Sequence, residues 1–199
     1  MRMKAFLFLW TCAIAGCGPD PIIDKVTYDD LILEGWLSYS LSEYDNSMVW
    51  FEKAVKRDST RAEAYTGLAW VSMKNGALME AAGFFGRGIG KSDLRADHYG
   101  GWSFLEHDLR HFEASNSYAD SALSRSPAWS FPYAAGIGAA DLVLLKAWNY
   151  FLMGNYNQSM ATVKAFNPSF NADVSTAMGQ QQLAREIERL RGLTKRSFT

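Results

Sequence analysis

Three stretches carry residue types that could do chemistry. His107 and His111 stand four apart, with Glu106 and Asp108 beside them. On one helix face that spacing could hold a divalent metal. GRGIGKS, residues 86–92, offers the glycines and lysine of a phosphate-cradling loop. Asp97-His98 sets an acid beside a base, and serines are plentiful. None meets the requirements of its chemistry. A phosphate loop needs a glycine five residues ahead of Gly90, where Phe85 stands, and it should follow a strand, whereas the preceding segment reads as helix. These glycines are expected to be a frayed helix end. No nucleophile motif such as GxSxG surrounds any serine. The expectation is a protein that is not an enzyme and needs no metal or cofactor.

The elements that position these residues emerge from periodicity. Trp36, Trp70 and Phe104 are spaced by 34 residues each time. Other columns keep that register: Gly35, Ala69 and Ser103 are small, as are Ser47, Ala81 and Ser115. Tyr44, Leu78 and Phe112 are bulky, and Asp29, Glu63 and Asp97 are acidic. A fourth unit follows after ten inserted residues, with Asp141, Ala147, Trp148, Tyr156 and Ser159 in the matching columns. The insertion lies near SPAWSFPYAAGIG, residues 126–138, whose two prolines and two glycines read as a loop. Leu183, Ile187 and Leu190 form an apolar stripe on a last helix expected near 174–191.

A 34-residue period resembles the tetratricopeptide repeat (TPR). The second unit, AEAYTGLAWVSMKNGALMEAAGFFGRGI, is most similar to the family, with Tyr65, Leu68, Ala69, Gly76, Ala81 and Phe85 at motif positions. The first unit departs at Ser42 and Ser47, the third at Glu106, and the fourth at Lys146 and Phe166. The resemblance implies an all-α, TPR-like α-solenoid of about four helix-turn-helix repeats with a C-terminal capping helix. The expected units are 28–61, 62–95, 96–129 and 140–172, within a repeat region of 28–172, with an insertion near 126–139 and a cap and tail over 173–199. Asn75-Gly76 and Gly154-Asn155 suit the inter-helix turns, because both residue types tolerate φ > 0. The register sets the turn of the third unit between His107 and His111, which removes their shared face.

In the geometry that the resemblance implies, the first helix of each unit lines a concave groove. Trp36, Trp70, Phe104 and Trp148 would face it, and Tyr39, Met73, His107 and Phe151 one turn later. These eight are the expected partner-binding residues, since aromatics give large contact area for little entropy lost. The alternative for the same stripe is internal packing. The acidic column sits in the first turn of each unit, where it favours the helix dipole by about 0.3–1 kcal/mol each.

The amino terminus points to a cellular address. Arg2 and Lys4 precede an apolar run from Ala5 to Ala15, too short to span a bilayer and built like a secretory signal. Ile14-Ala15-Gly16-Cys17 resembles the lipobox of bacterial lipoproteins, which implies removal of residues 1–16, lipidation of Cys17 and a linker over 17–27. With Cys12 lost in the signal, Cys17 has no disulfide partner, and a lipid accounts for it. Gly18 after the cysteine favours the outer membrane facing the periplasm, by resemblance to enterobacterial sorting. Without Arg2 and Lys4, 18 basic residues face 21 acidic ones, a net charge of −3 that argues against nucleic-acid binding. The expected partner is another cell-envelope protein, offering a peptide or helix to the groove. TPR lipoproteins serve in envelope-complex assembly, and pathway does not follow from the repeat. The alternatives are an envelope lipoprotein that binds a small ligand or acts as an enzyme, and a structural protein that self-associates.

Overall fold

The computed structural model describes residues 26–196, with side chains to Leu193. The expected signal, the lipidated Cys17 and the linker up to residue 25 lie outside the described residues.

Eight of the nine helices in the described residues form four antiparallel pairs. They are α1 (Tyr28–Ser40) with α2 (Tyr44–Arg57), α3 (Glu63–Lys74) with α4 (Leu78–Gly88), α5 (Ala96–Asp108) with α6 (Phe112–Arg125), and α7 (Ala139–Leu152) with α8 (Tyr156–Val163). Each pair also stacks on the next through α2·α3, α4·α5 and α6·α7. The ninth, α9 (Ala177–Arg196), packs on α7 and α8. The fold is therefore an all-helical, TPR-like solenoid with a terminal cap.

The columns of small residues explain why the pairs close so tightly. Ser47, Ser115 and Ser159 are fully buried, and each hydroxyl donates to the carbonyl twelve residues earlier, those of Gly35, Ser103 and Ala147, all at 2.8 Å. The bond satisfies a polar group that would otherwise be costly to bury. Phe51 fills the space between α1 and α3. A Cβ on Gly35 or Gly67 would sit 2.5 or 2.4 Å from its ring, so both positions exclude any side chain. Along the same register, Phe85 packs against Gly101.

The inter-helix turns repeat as well. The left-handed positions are Ser42 (φ 61), Gly76 (φ 74), Arg110 (φ 64) and Gly154 (φ 76), in the same column of all four units. The turn at Arg110 separates His107 on α5 from His111 before α6. At the far end Leu183, Ile187 and Leu190 of α9 join Leu144, Ala147 and Val163 in a second core. Each fully buried aliphatic contributes about 1.5–3 kcal/mol.

The GRGIGKS segment ends α4 at Gly88 and then turns at Gly90 (φ 76). It runs alongside residues 59–62: Ser92 N donates to Thr60 O, Ala62 N to Ser92 O, and the Lys91 ammonium to Ser59 O at 2.7 Å. Asp93 then accepts from Ala62 N at 2.7 Å and so serves the start of α3. The loop is a strut between repeats.

Candidate functional site

The acidic column has a structural use in the first three units. Asp29 pairs with Arg61 at 2.8 Å, and Glu63 with Arg95 at 3.5 Å. In the third unit Asp97 accepts from Trp129 Nε1 at 2.7 Å. Each acid thus reaches a donor 32 residues on, at the last residue of its own unit, where the chain enters the next helix pair or the insertion. Burial pushes the Glu63 and Asp97 carboxyls above the usual range, against the pull of those donors. In the fourth unit Asp141 instead accepts from Gly138 N at 2.9 Å, at the start of its own helix.

Trp129 leads directly into the segment that shapes the concave face. Between α6 and α7 the chain makes a small closed loop, with Phe131 N donating to Ile137 O at 2.9 Å and Ala139 N to Trp129 O at 2.7 Å. The loop folds back over the first two units. Phe131 stacks on Trp70 with ring centroids 4.0 Å apart, and Tyr133 stacks on Trp36 at 4.1 Å. Tyr39 meets Phe131 edge-on at 6.0 Å. Trp36, Tyr39 and Trp70 are left 2%, 3% and 3% exposed. The aromatic stripe of the first two units is thus a floor beneath the chain's own insertion.

The eight groove residues therefore separate into three groups. Trp36 and Tyr39 are covered. Trp148 and Phe151 stack on each other at 5.3 Å and pack against the core shared by α7, α8 and α9. Trp70 at its edge, Met73, Phe104 and His107 remain together around an open cleft of about 620 Å³. Ile137 from the insertion and Leu144 and Leu145 from α7 complete its apolar wall. Lys74, Asp108, Asp141 and Arg191 supply charges of both signs around it.

His107 is held by a network that the repeat register does not predict. Its Nδ1 donates to Asn149 Oδ1 at 2.5 Å, because an amide oxygen can only accept. Asn149 is fully buried and donates in turn to Ser115 Oγ at 2.8 Å and Asn116 Oδ1 at 2.9 Å. The equivalent positions in the first three units are Leu37, Val71 and Leu105, so a polar residue here breaks the column. That break was the available signal. The network fixes the His107 ring at the edge of the cleft and ties the third unit to the fourth.

His111 Nδ1 lies 2.7 Å from Glu106 Oε2, and the other oxygen of that carboxylate accepts from Trp102 Nε1. His98 is fully buried between Thr66 Oγ1 and Phe85 O. The carbonyl can only accept, so Nε2 carries the proton and Nδ1 accepts from Thr66. Burial lowers the His98 pKa to about 4 and keeps the ring neutral. Among the described residues no group of three or more histidines, cysteines or acidic residues gathers to hold a metal, nor is any helix long and apolar enough to cross a membrane.

No protein-family profile and no characterised protein matches the sequence. Solved structures do match. YrrB, a TPR protein with an unusual peptide-binding site, is 14% identical over 82% of this chain and 86% of its own, with a TM-score of 0.62. PilF of Pseudomonas aeruginosa is 13% identical over 86% of this chain and 77% of its own, at 0.61. A thermophilic TPR protein of Thermus thermophilus is 20% identical over 85% of this chain and 97% of its own, at 0.54. At these identities the likeness is one of fold: the chain shares the TPR solenoid.

Proposed function

We propose that this chain is a lipid-anchored adaptor that holds a peptide segment or helix of another cell-envelope protein, and that it does so without chemistry of its own. The cleft between α3, α5, α7 and the insertion carries the reading. Its wall is apolar and partly exposed at Met73, Phe104 and Ile137, and the rim charges and the network-held His107 can orient a bound backbone. YrrB, of the same fold, has a peptide-binding site. Cys17 supplies the tether, through thioether lipidation after removal of residues 1–16, and Gly18 favours the outer membrane facing the periplasm.

The test is affinity capture from solubilised envelope proteins, with the parent chain beside a Met73→Ala/Phe104→Ala variant. Both residues are partly exposed, so the variant is expected to keep its helical circular dichroism. One protein captured by the parent and lost by the folded variant supports the reading. Identical capture by both overturns it. A small-ligand function is the second reading, since about 620 Å³ falls in the usual range for small-molecule pockets. A rise in melting temperature with one metabolite, absent in the same variant, would favour it.

A further inference from the structure

The residues that cover Trp36 and Tyr39 stand where a partner would. Phe131, Pro132 and Tyr133 run along the floor with both rings laid flat on tryptophans, the arrangement an aromatic-rich peptide ligand would adopt. The attachment is nearly all ring contact. Among the described residues, one hydrogen bond joins Phe131–Gly136 to the helices, from the Ser40 hydroxyl to Tyr133 O at 3.4 Å. The loop's backbone bonds are internal, from Phe131 N to Ile137 O and from Ala139 N to Trp129 O, so none of them ties it to the helices and, once it lifts off the floor, both bonds open to solvent.

The floor beneath is imperfectly matched to this occupant. The Tyr39 hydroxyl is buried without a hydrogen-bond partner. Trp36 Nε1 feels the Glu63 carboxylate, but outside hydrogen-bond geometry. Two donors left buried and unpaired cost free energy, which an occupant with a well-placed acceptor recovers. The closed loop therefore holds the floor with good ring packing and poor polar matching.

We propose that the 130–137 segment is a displaceable built-in ligand, and that the floor beneath it, Trp36, Tyr39 and Trp70, is a second docking surface. Its partner is an extended protein segment with aromatic side chains two residues apart and an acceptor that reaches Tyr39 and Trp36. This rests on the adaptor reading for the claim that another protein supplies that segment. Displacement joins the floor to the open cleft, because Trp70 borders both. The groove would then run through the first three units.

The test uses the full-length chain, a Phe131→Ser/Tyr133→Ser variant and a labelled synthetic peptide of residues 126–138. The folded variant should bind the peptide at least tenfold more tightly than the parent, and a peptide with both aromatics replaced by alanine should not bind. Equal binding by parent and variant, no binding by the folded variant, or equal binding of the alanine peptide overturns the proposal. Hydrogen exchange on the parent covers a variant that fails to fold. The Phe131 and Ala139 amides should exchange at least a hundredfold faster than those of Val71 and Leu105. Equal protection would make the segment permanent core and sink the idea. The peptide comes from this chain, so the result is independent of capture. Lost capture with positive peptide binding removes only the adaptor reading, and the converse confines binding to the cleft.

Discussion

The indole of Trp70 and the ring of Phe131 lie face to face, 4.0 Å between centroids and 14° from parallel, although 61 residues separate them. Trp70 also donates from Nε1 to Asp97 O at 3.1 Å and presses against Gly101. A residue held on these sides carries fold stability before it carries binding. Trp70→Ala should cost about 3–5 kcal/mol, while Phe104→Ala, partly exposed at the cleft, should cost about 1–2 kcal/mol. Urea unfolding of the two variants checks the ranking. Equal losses would mean that the insertion does not bury Trp70 in solution.

The left-handed turn positions give a second check. Ser42 and Arg110 occupy the place that Gly76 and Gly154 fill in the other units, and a Cβ there is strained. Ser42→Gly and Arg110→Gly should each stabilise the fold by roughly 0.5–1 kcal/mol, and Gly76→Ala should destabilise it by a similar amount. Thermal melts resolve these signs. Destabilisation by both glycine variants would contradict the turn geometry.

Buried His98 sets a pH dependence. Its pKa falls from 6.5 in the unfolded chain to about 4 in the fold, so between those values the unfolded state binds the additional proton. The stability owed to neutral His98 is complete above about pH 6.5 and is lost as pH falls toward 4, a change of about 3 kcal/mol. Glu63 and Asp97 act in the opposite sense, because their raised pKa values favour the fold as pH falls. Comparison with His98→Gln separates the contributions. The advantage of the parent over this variant should shrink by about 3 kcal/mol between pH 7 and pH 4 in urea titrations. A constant difference would place a charged or exposed ring at position 98.

The proposed tether is tested by mass. Lipidation at Cys17 predicts a mature chain that starts at residue 17, carries added acyl mass and partitions with membranes. Cys17→Ser should abolish both the added mass and the membrane fraction. An unmodified chain beginning elsewhere would remove the anchor from the account.

The solenoid was legible because repeat stacking repeats its steric demands. Gly67 and Gly101 must be bare for Phe51 and Phe85, and Ser47, Ala81 and Ser115 must be small where paired helices meet, so small residues return every 34 positions until the insertion. The groove was legible only in part. Proline and glycine marked residues 126–138 as a loop, but the alternation of Trp129, Phe131 and Tyr133 was the sign that the loop has a buried face. Arg61, Arg95 and Trp129 also share a column, and each answers the acid at the other end of its own unit. Local periodicity reports which face of a helix is apolar. It does not report whether a neighbouring repeat, a partner or the chain's own insertion covers that face.

The cleft's occupancy in the cell is the central claim, and site-directed photo-crosslinking tests it most directly. A photoreactive amino acid at Met73, within the cleft, would be compared with one at Met79, which is 77% exposed on α4 and outside it. Irradiation of intact cells is predicted to give one envelope-protein adduct from position 73 and none from position 79. The same adducts from both positions, or none from position 73 in a folded and exported chain, would contradict the adaptor account.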